Sequence, residues 1–195
     1  MTVRVETLTG PGLRAALDDL ARLRIAVFAA FPYLYDGSAD YEREYLAEFT
    51  AAPEAVLVAA IDDARIVGAA TASPLMAQDD YIRMPFVRHG IDPATVFYFG
   101  ESVLASEYRG QGLGHAFFDR RETAARAWGA SKASFCAVVR PENHPARPAG
   151  YVPLDSFWRK RGYAPVPGLT GEFVWKEKGE AGESAKPMQF WMRDL

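Results

Sequence analysis

A glycine-rich segment, from Arg109 to His115, carries the clearest chemical signal in this sequence. Glycines stand at Gly110, Gly112 and Gly114, and the residues that follow repeat apolar side chains at helical spacing. A helix that begins here has unpaired amide N–H groups and the positive end of its dipole at this point. Glycines let those amides approach an anion without a Cβ in the way. The segment therefore predicts a cradle for a pyrophosphate group.

Two other nucleotide-binding patterns do not fit these glycines. The dinucleotide fingerprint needs Gly-x-Gly-x-x-Gly and an acidic residue about 20 residues further on, at the end of a second strand. The phosphate loop of nucleoside triphosphatases needs Gly-Lys-Ser/Thr, which does not follow here. The glycines alone also allow an ordinary strand-to-helix turn, in which glycine only supplies an unusual backbone angle.

Glu101 is a carboxylate within an otherwise apolar, strand-like stretch from Val96 to Ala105. An ionised group in such a strand costs free energy unless it is paired or faces a cleft. Two interpretations follow. Glu101 either accepts a proton from a substrate, or pairs with an arginine such as Arg140 and only satisfies the strand.

The histidines and the single cysteine give weaker signals. The three histidines lack metal-ligand spacing, and we predict no metal site. His144 follows the end of a predicted strand, where it either relays a proton or is an inert surface residue. His115 either reaches a phosphate or caps the helix and faces solvent. Cys136 is the single cysteine and cannot form an internal disulfide, and we interpret it as a packing residue of a buried strand.

Composition limits the class of protein. A chain of 195 residues that is 49% hydrophobic suffices for one well-buried domain, and we expect a single domain over residues 1–195. The net charge is −3 and basic residues are scattered among acidic ones, so no nucleic-acid partner is expected. No apolar run approaches the roughly 20 residues that span a bilayer, and residues 1–6 lack a signal-peptide core. We therefore expect a cytoplasmic protein with no membrane partner.

Hydrophobic periodicity predicts alternating helices and strands. A short strand at 3–5 precedes a helix over 13–27, and a second helix begins after the cap Ser38. The remaining predicted elements are strands at 55–61 and 65–72, a strand at 96–105, the helix after the glycines, a strand at 132–139, a short helix at 154–163, and strands at 173–175 and 188–192.

Two segments stand apart from these elements. Residues 73–95 contain three prolines and are predicted to be irregular, either as a flap over a binding site or as a poorly ordered excursion. Residues 177–187 are polar and are predicted to form an exposed hairpin tip between the last two strands.

The order Arg-Gly-Gln-Gly-Leu-Gly after a hydrophobic strand resembles the acyl-CoA-binding motif of the GNAT superfamily of N-acetyltransferases, Arg/Gln-x-x-Gly-x-Gly/Ala. The segment Phe157–Tyr163 is similar to the family's aromatic-Tyr-x-x-x-Gly-Phe ending of the last helix. The order of elements resembles the GNAT fold over nearly the whole chain. The resemblance implies an α/β (α+β) fold. Its central sheet would be mixed but mostly antiparallel, with six to seven strands, splayed at strands 4 and 5, and flanked by about four helices.

The resemblance also implies an activity: an amine attacks acetyl-CoA directly in a ternary complex, without a covalent enzyme intermediate or a metal. The acceptor would be a primary amine of a small molecule or peptide. Amides of the glycine segment would bind the pyrophosphate, and strand amides at the splay would meet the pantetheine arm and the developing oxyanion. The residues assigned to the coenzyme are Val103, Leu104, Ala105, Arg109, Gly110, Gln111, Gly112, Leu113, Gly114 and His115.

One residue departs from the family pattern. Trp158 stands where the family commonly carries a tyrosine that protonates the departing thiolate, and an indole N–H cannot do so. Either solvent or another side chain then supplies the proton. The candidate side chains are Tyr98, Tyr108, Tyr151 and Tyr163, and Tyr151, in the rigid segment Pro-Ala-Gly-Tyr-Val-Pro, is our first choice. Glu101 is assigned as the base and His144 as a further proton-carrying residue.

The acceptor side of the site falls by resemblance on the connection between the first two helices. Tyr33 and Tyr35 could line a cleft and Asp36 could pair with an ammonium group, although such tyrosines also serve as lids over a core. Two functional alternatives stay open: a noncatalytic acyl-CoA-binding or sensing domain, and an acyltransferase with a different acyl chain or acceptor. A homodimer through the aromatic closing strands is possible, but those edges could equally be buried within the monomer.

Overall fold

The computed structural model describes residues 3–195. Met1 and Thr2, the first two residues of the segment 1–6 in which no signal-peptide core is predicted, lie outside the described residues. The helices are α1 (Gly10–Ala15), α2 (Leu17–Phe28), α3 (Ala39–Ala51), α4 (Asp80–Arg88), α5 (Leu113–Trp128) and α6 (Asp155–Lys160). The strands are β1 (Arg4–Leu8), β2 (Val56–Asp62), β3 (Arg65–Pro74), β4 (Val96–Leu104), β5 (Lys132–Val138), β6 (Ala164–Trp175) and β7 (Ser184–Asp194).

The strands form one mixed sheet in the order β1-β2-β3-β4-β5-β7-β6. Every neighbouring pair is antiparallel except β4 and β5, which are parallel. The predicted sheet of six to seven mostly antiparallel strands is confirmed. Since β7 lies between β5 and β6, its backbone is paired on both sides and offers no edge to a dimer partner, whereas β6 is an edge strand.

The sheet opens between its two parallel strands. Pairing of β4 with β5 is limited to Val96 with Lys132, Phe97 with Ala133, and Tyr98 with Ser134. Beyond that point β4 continues to Leu104 and β5 to Val138 without pairing to each other. The predicted splay at strands 4 and 5 is therefore confirmed, and it leaves one edge of each strand free for a ligand.

Helices cover both faces of the sheet. On one face, Leu20 and Leu23 of α2 and Leu46 of α3 join a core with Leu57 and Val103. The same face carries α4, whose Ile82 and Phe86 pack with Tyr98 and Phe190. On the other face lie α5 and α6, where rings including Phe97, Phe99, Phe118, Phe135 and Phe157 share a second core. These apolar layers hold the splayed edges in place.

Two predicted helices differ in detail from the structure. The first is divided at Ala16 into α1 and α2, which the apolar repeat alone could not reveal. The second begins as predicted, with Ser38 Oγ accepting a hydrogen bond from the Tyr41 amide at 3.3 Å.

The prediction that residues 73–95 are irregular is wrong. They contain α4 and two short 3-10 turns, Leu75–Ala77 and Pro93–Thr95. Pro85 lies inside α4 and removes one helical hydrogen bond, but Ile82 and Phe86 are buried beneath it. Burial of an amphipathic face therefore decides the conformation over local propensity.

The predicted exposed hairpin tip, 177–187, is also partly wrong. Glu177 and Lys186 are buried, and the backbone of Glu177 forms an isolated bridge with Tyr35. Arg140, at the end of β5, forms an ion pair with Glu177 and donates a hydrogen bond to Pro32 O at 2.7 Å. The tip thus anchors the connection between α2 and α3, because buried charges need partners.

Candidate active site

The glycine segment forms a tight turn at the start of α5. Gly110 has φ +76° and Gly112 has φ +81°, both in the left-handed region. The amides of residues 110 to 114 donate no hydrogen bond within residues 3–195, and no side chain caps the helix. Five N–H groups are therefore free at the positive end of the longest helix described, which is a suitable environment for a phosphate group.

The three glycines are required for two different reasons. A Cβ on Gly110 or Gly112 would meet nothing within 4 Å, so glycine is needed there for its left-handed backbone. A Cβ on Gly114 would lie 3.4 Å from Phe157 Cζ, so glycine there lets α6 pack against α5. Only the first two serve the shape of the turn itself.

The side chains around the turn are largely exposed. Arg109 is exposed and Gln111 Nε2 donates to Glu107 O at 3.2 Å. The His115 ring packs on Phe157, with ring centroids 4.9 Å apart, and its Nδ1 lies 3.3 Å from Arg161 Nη1. His115 is thus held against α6, whereas the Arg109 side chain is free to turn toward a bound anion.

A β-bulge shapes β4 where it leaves β5. Ala72 pairs with Phe99 and Ala70 with Ser102, so β4 carries one extra residue between these pairs. The Glu101 amide donates to Thr71 Oγ1 at 3.1 Å, and a Cβ on Gly100 would lie 2.5 Å from that oxygen. In a regular strand the side chains of residues 99 and 101 would lie on the same face of the sheet. The extra residue of the bulge places them on opposite faces, so that Phe99 faces α5 while Glu101 faces α2 and α3.

The backbone of β4 corrects the predicted set of free strand amides. The Ala105 amide donates to Val67 O of β3 at 2.9 Å, and by alternation the Val103 amide also faces β3. The expectation that these two amides are free is wrong. Leu104 and Ser102 instead direct their amides toward the gap. Ser102 was not predicted, because the one-residue bulge that fixes the alternation has no clear sequence signal.

The Glu101 carboxylate is buried and held on one side only. Its Oε2 accepts from Arg24 Nη1 at 2.9 Å and from the Tyr45 hydroxyl at 3.3 Å. Its Oε1 is buried and has no partner within residues 3–195. Arg140, the partner suggested by the sequence, lies elsewhere with Glu177, so that suggestion is wrong. Glu101 does pair with an arginine, and that arginine is Arg24.

Arg24 joins Glu101 to a second buried carboxylate. Arg24 Nε donates to Glu42 Oε2 at 2.5 Å, and its guanidinium lies over the Tyr45 ring at 4.2 Å. Burial acts to lower the pKa of Arg24, but the charges of Glu101 and Glu42 outweigh burial and raise the pKa above its ordinary value. We call these residues the Glu42–Arg24–Glu101 triad. Two carboxylates and one guanidinium give it a formal charge of −1.

Aromatic rings from several elements lie on the same face as the triad. Tyr81 of α4 packs edge-on against Phe173 of β6 at 5.0 Å, and Tyr33 lies 5.9 Å from Trp175. Tyr81 remains 45% exposed, so this side of the rings is open to solvent. With Tyr45 they form what we call the aromatic wall. Burial and the Glu101 charge raise the pKa of Tyr45 well above its ordinary value, so it is a hydrogen-bond donor rather than a phenolate.

Two predicted acceptor-binding residues already have other contacts. Tyr35 is buried against Tyr41, its hydroxyl has no described partner, and burial followed by the charge of Glu42 raises its pKa. The Asp36 carboxylate pairs with Lys176 Nζ at 2.8 Å. It is therefore not available to an ammonium group of the acceptor, contrary to the expectation from the sequence. Tyr33 alone of the predicted three joins the aromatic wall.

The predicted acid and the predicted relay lie together in the connection after β5. The Tyr151 ring packs edge-on against Phe31 at 4.7 Å, and the His144 ring lies 5.5 Å from the same phenylalanine. Burial raises the pKa of Tyr151, and His144 Nδ1 accepts from the Ala146 amide at 3.2 Å. The structure therefore brings these two residues to Phe31, separately from the Arg24 and Tyr45 side chains that hold Glu101.

Trp158 has a packing role in the structure. Its ring lies 5.0 Å from both Phe135 and Trp191, in the core beneath α6.

Within the described part of the chain, no group of three His, Cys, Asp or Glu residues is arranged to hold a metal ion. No helix among residues 3–195 combines the length and apolar character needed to cross a membrane.

The splayed sheet and the free amides at the start of α5 together define an acyltransferase fold. The family model for GNAT acetyltransferases matches residues 20–150. The chain therefore belongs to the GNAT acetyltransferase family. No curated protein sequence matches it.

Solved structures agree with this fold. A ribosomal-protein-alanine N-acetyltransferase from Brucella melitensis superposes with a TM-score of 0.63 at 14% identity, over 98% of this chain and 99% of that one. An aminoglycoside 6'-N-acetyltransferase in complex with coenzyme A gives 0.58 at 18% identity, over 98% and 96%. The protein yncA of Salmonella typhimurium, determined with its cofactor acetyl-CoA, gives 0.61 at 10% identity, over 100% and 95%. At these identities the likeness concerns the fold.

Proposed function

We propose that this protein is an acetyl-CoA-dependent N-acetyltransferase that acetylates a primary amine of a small molecule or peptide. The observation that carries the proposal is that the gap between β4 and β5 lies between the free amides at the start of α5 and the Glu101 carboxylate. The free amides at the start of α5 lie on one face of the sheet, and Glu101 faces the other. Two substrates can therefore approach from opposite faces and meet at the gap, as direct attack in a ternary complex requires.

The coenzyme would be held by backbone groups. The amides of Gly110 to Gly114 would bind the pyrophosphate, with the Arg109 side chain adding positive charge. Of the other residues predicted at this site, Gln111 and Leu113 would contribute through their amides, and His115, in the first turn of α5 and packed against Phe157 of α6, would border the site. Leu104 would pair its backbone with the pantetheine arm, and the Ser102 amide would polarise the thioester carbonyl.

Glu101 would accept the proton from the acceptor. Its Oε2 is fixed by Arg24 and Tyr45, which leaves Oε1 as the atom without a partner. In the transfer step the amine nitrogen bonds to the acetyl carbon and the C–S bond breaks. The amine proton passes to Glu101 Oε1, directly or through a water molecule, and the sulfur leaves as a thiolate that takes up a proton.

The departing thiolate needs an acid other than Trp158. We propose Tyr151 for this role, with His144 as a relay to solvent. Both groups belong to the connection that follows β5, beyond the part of β5 that pairs with β4. The raised pKa of Tyr151 keeps its phenol protonated at neutral pH, as a proton donor requires.

The acceptor would be a cation that enters along the aromatic wall. The formal charge of −1 on the Glu42–Arg24–Glu101 triad favours an ammonium group over a neutral or anionic one. Tyr33, beside Trp175, would contact the body of the acceptor. Asp36 would contribute only after release from Lys176.

Calorimetric titration with acetyl-CoA, with free CoA and NADH as controls, tests the coenzyme site first. We expect micromolar binding of acetyl-CoA and CoA, and none of NADH. A panel of primary amines, assayed by thiol release, then tests transfer. Binding without thiol release from any amine would favour a sensing domain, and a preference for longer acyl-CoA thioesters would favour a different acyltransferase. No binding of acetyl-CoA would contradict the proposal.

A further inference from the structure

Arg121 of α5 is a buried cation without a counter-ion. Its side chain is 1% exposed and forms no ion pair with a carboxylate of the described residues. Nη1 donates to Thr71 O and to Glu101 O, both at 3.4 Å, and Nε donates to Phe117 O at 3.3 Å. The guanidinium carbon lies 4.5 Å from the centre of the Phe99 ring. Arg121 therefore lies directly beneath the bulge of β4, on the face of the sheet that carries α5 and the free amides, which we call the coenzyme face.

The charge of this side chain is costly at such a position. Burial lowers the pKa of Arg121 to about 10, because water no longer solvates the guanidinium. Long hydrogen bonds to neutral carbonyls and ring faces offset only part of that cost. Replacing a buried charge with an apolar side chain of similar volume is often neutral or stabilising. Packing alone thus gives no reason for an arginine here.

The position of Nη1 points to a role at the splay. Glu101 C=O and Ser102 N–H belong to the same peptide group, and in a trans peptide they point in opposite directions. Arg121 binds the carbonyl end on the side toward β3, so the amide end is directed away from β3 and into the gap. A cation at the carbonyl also polarises the peptide, which makes its N–H a stronger donor.

We propose that Arg121 is a positioning residue for acetyl transfer, which orients and polarises the Glu101–Ser102 peptide so that the Ser102 amide binds the thioester oxygen. This inference rests on the proposed function, since it concerns the same thioester. Arg121 does not touch the substrate. It acts through one peptide group, at the place where negative charge develops on the carbonyl oxygen.

A purely structural role is the alternative. The bulge leaves the Thr71 carbonyl without a regular strand partner, and Arg121 could serve only to satisfy it. Such a role would affect the free energy of unfolding. It would not change the polarisation of a bound thioester, and this difference separates the two roles.

The test uses [1-13C]acetyl-CoA and isotope-edited infrared difference spectroscopy, and needs no acceptor. The carbonyl stretch of the bound thioester falls in frequency as the carbonyl is polarised. For the unaltered protein we expect a band clearly below that of free acetyl-CoA. In Arg121→Met and Arg121→Gln most of that displacement should be lost, and Arg121→Lys should restore part of it. Arg120→Met, a neighbouring exposed arginine of α5, is the matched control and should retain the full displacement.

Two variants keep the test decisive. Glutamine can still donate to the carbonyls, so Arg121→Gln removes the charge even if Arg121→Met does not fold. With an amine that supports thiol release, Arg121→Gln should lower kcat about tenfold, less than the loss of a whole oxyanion donor, with both KM values nearly unchanged. A full band displacement in Arg121→Gln would overturn the inference. Failure of the unaltered protein to bind acetyl-CoA would instead overturn the proposed function.

Discussion

Glu101 is a residue whose two carboxylate oxygens have different surroundings. Oε2 is bound by Arg24 and Tyr45, whereas Oε1 is buried without a described partner. The ion pair with Arg24 uses one oxygen only, so it leaves Oε1 available on the face of the sheet that carries α2 and α3, which we call the acceptor face. This asymmetry is the reason for assigning the proton transfer to Oε1.

Glu101→Gln should therefore affect turnover rather than coenzyme binding. The amide keeps the shape of the carboxylate but cannot accept the proton, and loss of a general base lowers kcat by roughly 10²–10⁴-fold. The dissociation constant for acetyl-CoA should stay within about twofold, because the amides at the start of α5 are unaltered. Thiol-release kinetics and calorimetry measure the two quantities. Glu172→Gln, an exposed glutamate of β6, is the control, and unchanged turnover in Glu101→Gln would remove Glu101 from the mechanism.

Cys136 has a thiol that the structure keeps protonated. Its Sγ lies 3.1 Å from the Tyr98 hydroxyl, and burial raises its pKa to about 12. In the unfolded chain the thiol has a pKa of about 8.5. The folded state then binds the proton more tightly, so this contribution to stability is present below pH 8.5 and is lost as the pH rises toward 12.

Alkylation measures the protection of this thiol directly. At pH 8 we expect iodoacetamide to modify native Cys136 at least about 100-fold more slowly than the same residue in urea, because only the thiolate reacts. The chain contains one cysteine, so the incorporated mass reports on Cys136 alone. Equal rates in the native and unfolded states would show that the thiol is accessible and ionised in the folded protein.

Helix α5 provides an internal control for the role of its glycines. Gly112 precedes the helix with φ +81° and Gly129 follows it with φ +95°, and a Cβ on either would meet nothing within 4 Å. Alanine at either position should cost a similar ~1–2 kcal/mol, because both need the left-handed backbone. Only Gly112 lies among the free amides.

Gly112→Ala should thus weaken acetyl-CoA binding about tenfold or more, while Gly129→Ala leaves it within about twofold. Urea unfolding gives the cost to stability of each substitution, and calorimetry gives the affinity. Equal losses of affinity in the two variants would mean that the turn serves the fold alone.

The elements also show what the sequence could and could not predict. The glycine segment, the hairpin of β2 and β3 and the cap at Ser38 depend on local spacing, and each was predicted. Helix α4 was missed because prolines dominate its local signal, whereas burial of Phe86 decides its conformation. The pairing of Arg24 with Glu101 was missed because it depends on how α2 packs over β4, which no local pattern encodes.

The same limit applies to the strand amides. The resemblance predicts that strand amides of β4 belong to the site, but the bulge at Gly100 and Glu101 determines which amides face the gap. A bulge is one extra residue in a ladder, so it becomes visible only when both strands are in register.

In the whole molecule, the proposed acceptor face is assembled from distant parts of the chain. The Tyr33 carbonyl accepts from Trp175 Nε1 at 3.1 Å, and Arg140 joins the α2–α3 connection to Glu177. The coenzyme face depends instead on α5 and β4. The two halves of the site are therefore held by separate sets of contacts, and it should be possible to weaken one without the other.

Trp175→Leu tests that separation. Losing the Tyr33 contact and part of a half-buried indole should lower the free energy of unfolding by about 2–3 kcal/mol, below the 3–5 kcal/mol typical of a fully buried tryptophan changed to alanine. The KM of an amine acceptor should rise about tenfold while the affinity for acetyl-CoA stays within about twofold. Val174→Ala is the matched control, since Val174 is the adjacent residue of β6 and is 55% exposed. An equal loss of coenzyme affinity in Trp175→Leu would show that the two faces are coupled through the sheet, and that the closing strands support the whole site rather than its acceptor half.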